Sequence, residues 1–309
     1  MQISHVQSQI AVYYELTKPK IWYLLLFTAI SAIVIASNIY GIQVSPITWI
    51  LVIVSVGTGS AAANTLTNYH DRDIDAIMER TKDRPIPSKR IYPAENARDF
   101  GLVLAGISLV TAGMISFTTT IEQGLLAAGF IAFGLFNNVL IYSHMLKRNY
   151  RSNIILGGLC GGSPPLIGWV AVTTSDLWTV GLIMAGLVFI WIPMHIWALT
   201  LHFKEDYIKV NVPMLTAVQS ESSASRTIAI STIVMTAFSI IPFFLTLQNG
   251  EPVTGQIYLW TAIASGILML VLSGWVLRNA TEKTAWVLFK FSSPYLAVLF
   301  IGLMVDSVL

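Results

Sequence analysis

Nine apolar runs, each long enough to cross a bilayer, divide this chain from end to end and leave little room for anything but a helical membrane bundle. They fall near 21–40, 46–67, 98–118, 122–143, 154–174, 178–202, 226–247, 256–277 and 286–306. A helix needs roughly 17–25 such residues to span the hydrocarbon layer, and within it a helix satisfies all of its own backbone polar groups. Composition agrees: of 309 residues 55% are hydrophobic and 11% charged, against about 25% charged in a soluble domain. Trp22, Tyr40, Trp49, Trp178 and Tyr258 stand at predicted span ends, where amphipathic rings favour the interface. The expectation is one all-α membrane domain, residues 1–309, built as a bundle of nine transmembrane helices. The first twenty residues carry Lys18 and Lys20 but no cleavable signal pattern, so the first run reads as a retained helix. Cys160 is the only cysteine, which excludes an intrachain disulfide, and a net charge of +2 gives no reason to expect a nucleic-acid partner.

The basic residues are sorted by side. Lys18 and Lys20 precede the first run. Arg72 to Arg98 follow the second, Lys147, Arg148 and Arg151 the fourth, Lys204, Lys209 and Arg226 the sixth, and Arg278 and Lys283 the eighth. The alternate connections near 41–46, 119–123, 173–178 and 248–256 hold no Lys or Arg; Lys290, inside the ninth run, is the exception to the sorting. The positive-inside rule then puts the N-terminus and the charged loops in the cytoplasm and the C-terminus outside.

One of those loops carries far more charge than topology requires. Residues 68–90 read NYHDRDIDAIMERTKDRPIPSKR. Carboxylates beside arginines suit a diphosphate held through a divalent metal. Mg²⁺ binds through one or two carboxylates plus phosphate oxygens, and guanidinium forks meet the remaining oxygens in pairs. If the second run continues as a helix through the cluster, Asn64, Asn68, Asp71 and Asp75 line one face. Asp71 and Asp75 are then the metal-facing pair, Asn68 or Asn64 adds an amide, and Asp73 points away. Arg80 and Arg84 can grip the diphosphate before Pro85 and Pro87 end any helix. Lys147 and Arg148 lie on the same side of the membrane and are candidates for the same anion, or simple topology signals.

The sixth run ends WIPMHIWALTLHFKEDY, which puts His195, His202 and Asp206 on one helical face with Trp191 near it. Histidines inside a span leading to a carboxylate at its edge mark an enclosed site, although each histidine can equally serve an interhelical hydrogen bond. Asp206 is the second carboxylate locus, expected to face the first across a cavity.

These segments carry a resemblance. DRDIDAIMERTKDRP (71–85) is similar to the first aspartate-rich motif of the UbiA-type intramembrane prenyltransferases, and HFKEDY (202–207) occupies the place of their second. LTKPKIWYLLLFT (16–28), YSHMLKRNYRSNIILGGLCGGSPPLIGWVAVT (142–173) and WIPMHIWALTLHFKEDY with VPML (191–215) resemble the haem-farnesylating members of that family. The likeness covers residues 16 to about 215 and thereafter is a pattern of spans. Where the family has an Asn four residues before the first Asp, this chain has Thr67.

The resemblance implies transfer of a farnesyl group from farnesyl diphosphate to a vinyl group of haem b, with release of pyrophosphate. It implies Mg²⁺ held by Asp71, Asp75 and Asp206, with Asn68 or Asn64, and diphosphate contacts from Arg80, Arg84, Lys147 and Arg148. Tyr142, Trp191 and Trp197 would line the pocket for the allylic cation through their π faces, and His195 and His202 would contact haem by axial ligation or through a propionate. The Gly157–Gly158 and Gly161–Gly162 pairs with Pro164–Pro165 would bring helices close and break the fifth span. The implied setting is the cell membrane, with the site on the cytoplasmic face. The implied partners are the lipid bilayer and other proteins of the haem A pathway or of terminal oxidase assembly. Three other readings remain: a prenyltransferase acting on a quinone precursor or lipid, a polytopic transporter whose His and Asp relay ions, and a non-catalytic oxidase assembly factor.

Overall fold

The computed structural model describes residues 2–309, with side chains from Gln9 onward. Helices build the whole of it, and apart from an isolated bridge between Thr246 and Pro252 the described residues contain no strand. In chain order they are α1 (Gln2–Leu16), α2 (Pro19–Tyr40), α3 (Pro46–His70), α4 (Arg72–Asp75), α5 (Glu95–Gly113), α6 (Ile121–Leu135), α7 (Asn153–Gly157) and α8 (Ser163–Val170). There follow α9 (Leu182–His202), α10 (Lys204–Lys209), α11 (Leu215–Val218), α12 (Glu221–Phe238), α13 (Gln256–Arg278) and α14 (Glu282–Asp306).

Among the described residues eight helices are long and apolar enough to cross a membrane: Pro19–Tyr40, Pro46–His70, Glu95–Phe117, Ile121–Leu146, Leu177–His202, Glu221–Phe244, Gln256–Arg278 and Glu282–Asp306. The fifth expected crossing, 154–174, is not one helix. It is α7, a tight 3₁₀ stretch over Gly158–Gly162, and α8, which starts at the Pro164–Pro165 pair. Glycine's backbone freedom and proline's missing amide explain the break.

Local signals start the long helices. Ser45 caps α3 by accepting the Thr48 amide at 3.1 Å, with Pro46 in the first turn. Thr120 with Gln123 and Thr281 with Thr284 form reciprocal capping boxes at α6 and α14. The interior is packed closely: α3 runs along α5, α2 against α8 and α14, and α9 against α12 and α14. At Gly168 a Cβ would lie 2.1 Å from the Ala29 carbonyl oxygen, so only glycine lets α8 approach α2 that closely.

The bundle has two distinct ends. At one, α3 finishes at His70, α9 finishes at His202, and α14 begins at Glu282, whose carbonyl accepts from His202 Nδ1 at 2.9 Å. The helix begun as α6 reaches that end through wide i→i+5 turns over Phe136–Leu146, closed by the Lys147 amide donating to the Tyr142 carbonyl at 2.8 Å. At the other end the buried Asp176 carboxylate ties three elements, accepting from Tyr40 (2.5 Å), Thr179 (3.1 Å) and the Gln248 amide (3.3 Å).

Candidate active site

The α3 helix carries on through the acidic cluster as expected. The Asp71 amide donates to the Thr67 carbonyl at 2.9 Å and the Asp75 amide to the Asp71 carbonyl at 2.8 Å, so both side chains fall on one face and both are buried. Each carboxylate meets a cation. Lys147 Nζ donates to Asp71 Oδ2, and Arg84 Nη1 donates to Asp75 Oδ2 at 2.7 Å. Arg148 forks onto Asp73 with bonds of 2.7 and 2.6 Å and stands 3.9 Å from Asp71 Oδ1. The loosened turns of 136–146 bring Lys147 to this place; such departures from regular α geometry recur at functional sites.

Electrostatics follow from these neighbours. Burial works against the charged Lys147 amine, but the Asp71 carboxylate outweighs it and raises its pKa above the ordinary lysine value. The Arg148 bonds pull the Asp73 carboxyl down to about 2. Lys18, between α1 and α2, belongs to the same cluster although its sequence position suggested only a topology signal. Burial, and then the Arg84 charge, lower its amine well below the usual value, while Asp75 and Asp71 pull the other way. It sits in the left-handed region, φ 52, directly before Pro19, and a bulky residue holds that conformation only where its surroundings enforce it. Thr17 Oγ1 donates to the Tyr14 carbonyl at 2.7 Å and accepts from Trp22 Nε1 at 3.3 Å, which fixes the turn.

The two asparagines separate. Asn68 joins the cluster: its amide donates to the Leu16 carbonyl at 2.8 Å and its oxygen accepts from Arg84 at 3.4 Å. Asn64 donates to the Ser60 carbonyl at 2.9 Å and lines a deeper cavity of about 110 Å³, together with Ile21, Leu25, Asn138, Cys160 and Ser163. Thr67 donates to Asn138 Oδ1 at 3.0 Å and so points toward that cavity wall. Tyr142 lies over the cluster, with Lys147 Nζ 6.0 Å from its ring centre, and packs on Gly157, where a Cβ would come within 2.5 Å of the ring.

Asp206 does not join Asp71 and Asp75 in a single three-carboxylate ion site. Among the described residues no group of three carboxylate, His or Cys side chains is placed to hold one ion. Instead Asp206 Oδ1 and Oδ2 accept the backbone amides of Glu79 (3.1 Å) and Arg80 (3.2 Å), because α10 begins right after α9 and points that carboxylate at the loop. Arg80 is drawn to the same side, its guanidinium 5.0 Å over Phe203 and 3.5 Å from the Tyr207 hydroxyl. Glu79, Arg80, Phe203, Asp206 and His202 border an open cleft of about 400 Å³. The cations on Asp71 and Asp75 are therefore Lys147 and Arg84, and Arg80 is not among them.

The histidines face α14 rather than the carboxylates. His195 is stacked between Trp191 (4.1 Å) and Phe289 (4.3 Å), and His202 stacks on Trp286 at 4.6 Å. Trp286 and Phe289 stack in turn at 5.1 Å, giving a continuous aromatic ladder. The hydrogen bonds set the tautomers. Ser292 spends its hydroxyl hydrogen on the Phe289 carbonyl (2.6 Å), so it accepts from His195 Nδ1 at 2.6 Å. His202 Nδ1 donates to a carbonyl. Both rings keep Nε2 as a free lone pair. Trp191 donates to the Ser292 carbonyl at 2.8 Å, while Trp197 is buried outside this ladder with its indole N–H unpartnered.

Asp71 Oδ1 is buried without a hydrogen-bond partner. A hard oxygen left open beside a second carboxylate, ringed by Lys18, Arg84, Lys147 and Arg148, suits a divalent cation bridged to a phosphate anion. The chain belongs to the UbiA prenyltransferase family, which it matches over residues 20–295. Over 307 residues, 99% of both chains, it is 67% identical to protoheme IX farnesyltransferase 2 of Cenarchaeum symbiosum (strain A). Its fold is similar to that of a solved digeranylgeranylglyceryl phosphate synthase, with a TM-score of 0.74 at 20% identity over 97% of this chain and 99% of that one. It is also similar to a UbiA homolog from Archaeoglobus fulgidus bound to DMAPP and Mg²⁺, with a TM-score of 0.60 at 14% identity over 96% and 98%.

Proposed function

We propose that this chain transfers the farnesyl group of farnesyl diphosphate to a vinyl group of haem b, giving haem O and pyrophosphate. The 67% identity to a protoheme IX farnesyltransferase over essentially the whole chain supports the acceptor and the reaction. The single structural observation that carries the chemistry is the Asp71–Asp75 pair, buried among the cations of Lys147, Arg84 and Arg148 with the Lys18 amine beside them.

Asp71 and Asp75, with the Asn68 oxygen near them, would hold Mg²⁺, which when bound neutralises charge on the departing diphosphate. Lys147, Arg148, Arg84 and Lys18 supply the remaining positive charge around the diphosphate oxygens, so that the allylic C–O bond can ionise. Asp206 takes a supporting part by fixing the 79–80 backbone, and with it the loop that carries Arg84. Tyr142 presents its ring to the allylic cation. The haem vinyl carbon attacks C1 of the farnesyl cation to form the C–C bond. Water then adds to the cation left on the former vinyl group and releases a proton, giving the hydroxyethylfarnesyl side chain. The cavity below Asn64 receives the start of the prenyl chain and must widen to take all of it, since ligand pockets generally need several hundred Å³. The broken 153–170 segment completes a ninth crossing, so that the N-terminus and the site face the cytoplasm of a cell membrane, as the basic loops suggest.

The test is purified protein in lipid vesicles, supplied with haem b, farnesyl diphosphate and Mg²⁺. The expected product is extracted haem heavier by one farnesyl group plus one hydroxyl group, with one pyrophosphate released per haem. Pyrophosphate without a change in haem mass would assign a different acceptor, and neither product would remove the enzymatic reading.

A further inference from the structure

Lys290 is the one basic residue of the eighteen that lies away from the ends of the predicted spans, inside the ninth, and the site described above makes no use of it. Its position is well defined. It sits on α14 one turn past Trp286, with Nζ 5.5 Å from that ring's centre, and it is exposed. No carboxylate comes within 4.0 Å of it among the described residues, since it enters none of their ion pairs. An unpaired charge within a membrane helix is costly and marks a functional position by default.

The depth of that charge is informative. α14 begins at Glu282, at the end of the bundle where His202 and Asp206 meet the acidic loop. Eight residues further on, Lys290 lies about 12 Å in from that end. Trp286 and Phe289 beside it belong to the stacked column of rings that includes His195 and His202, whose Nε2 atoms make no hydrogen bond among the described residues. Protohaem is flat, with its vinyl groups on one edge and its propionates toward the opposite edge. If the reacting vinyl faces the diphosphate cluster at the bundle end, the propionates point along the span toward the depth at which Lys290 offers its amine.

We propose that Lys290 receives a propionate of the porphyrin acceptor and so turns its vinyl edge toward the Asp71–Asp75 cluster. This rests on the haem-acceptor reading above. The same amine could reach a phospholipid phosphate by extending along the helix, and the test separates the two anions.

Wild type, Lys290→Met and Lys290→Arg are compared in phosphatidylcholine vesicles, with and without phosphatidylglycerol, using haem b or its dimethyl ester as acceptor. Lys290→Met is expected to raise the KM for haem b about tenfold, the size of one charge-assisted hydrogen bond. It should leave the KM for the ester unchanged, and Lys290→Arg should restore most of the loss. An equal effect on haem and ester, or no effect on either, overturns the proposal, as does a loss that follows phosphatidylglycerol and ignores esterification. If wild type farnesylates neither acceptor while releasing pyrophosphate, the haem reading fails first and takes this inference with it.

Discussion

Asp206→Asn separates two uses of one carboxylate. In the structure its oxygens accept the Glu79 and Arg80 amides at 3.1 and 3.2 Å, on either side of nothing more than a peptide unit. Asparagine keeps one acceptor, loses the charge, and turns an NH₂ group against an amide donor. Hydrogen bonds to charged groups contribute about 1.5–3 kcal/mol each. Losing one and weakening the other raises the opening of the 76–90 loop by about 10- to 100-fold. That loop carries Lys82 and Lys89, both exposed, so limited trypsin digestion of the protein in lipid discs reads the opening directly. Cleavage follows the open population when opening is fast compared with cutting. Faster cleavage within 80–90 is expected, together with a higher KM for the prenyl diphosphate and an unchanged Mg²⁺ midpoint for pyrophosphate release. Unchanged cleavage with a shifted Mg²⁺ midpoint would refute the reasoning and return Asp206 to the metal site.

Lys147→Met should reduce pyrophosphate release at least a hundredfold, because it removes a diphosphate contact and leaves the Asp71 carboxylate buried and unpaired, a loss of about 3–5 kcal/mol. The double variant with Asp71→Asn should recover thermal stability without recovering activity, and independent, additive losses in both would be the contrary result. Asp73→Asn should alter stability little, since that pair is largely exposed. The Asp73 carboxyl is depressed to about 2, so whatever it contributes is complete above the ordinary aspartate range near 4 and vanishes as pH falls toward 2; a difference from wild type that persists undiminished at pH 2 would contradict this. Gly157→Ala should lower turnover by displacing the Tyr142 ring, whereas Gly106→Ala, with nothing within 4 Å, should be silent; equal effects in the two would show that Tyr142 placement is unimportant.

Periodicity made the long helices and the Asp71–Asp75 face legible, because both depend only on spacing along one helix. Pairings across the bundle were not. Arg80 and Arg84 share a helical spacing, yet Asp206 draws the Arg80 backbone to one side while Arg84 turns to Asp75, an outcome set by the turns of the loop. Lys147 reaches Asp71 only because 136–146 opens into wider turns, which no residue in that stretch announces. Lys18 was visible as a charge but not as a neighbour of the cluster; a lysine before proline between two helices was the available signal. The fifth span was overestimated as a single helix although its glycines and prolines were noted, since hydropathy measures length without continuity.

The cations on the two aspartates explain how such a site stays folded between turnovers. Two carboxylates buried together without partners would be costly to keep charged. Lys147 and Arg84 satisfy one oxygen of each, which leaves Asp71 Oδ1 open, with Arg148 held nearby on Asp73 and the Lys18 amine in the same cluster. An arriving diphosphate offers both side chains new anionic partners at nearly the same distance. In the proposed reaction Lys147 and Arg84 would move from carboxylate to phosphate oxygens, and Asp71 and Asp75 would then be free to hold the metal. The same exchange run backwards would free pyrophosphate. Exchange of this kind requires internal cations whose attachment to the protein's own acids is breakable. That explains why they arrive on a loop and on loosened helical turns rather than from the rigid centre of a span.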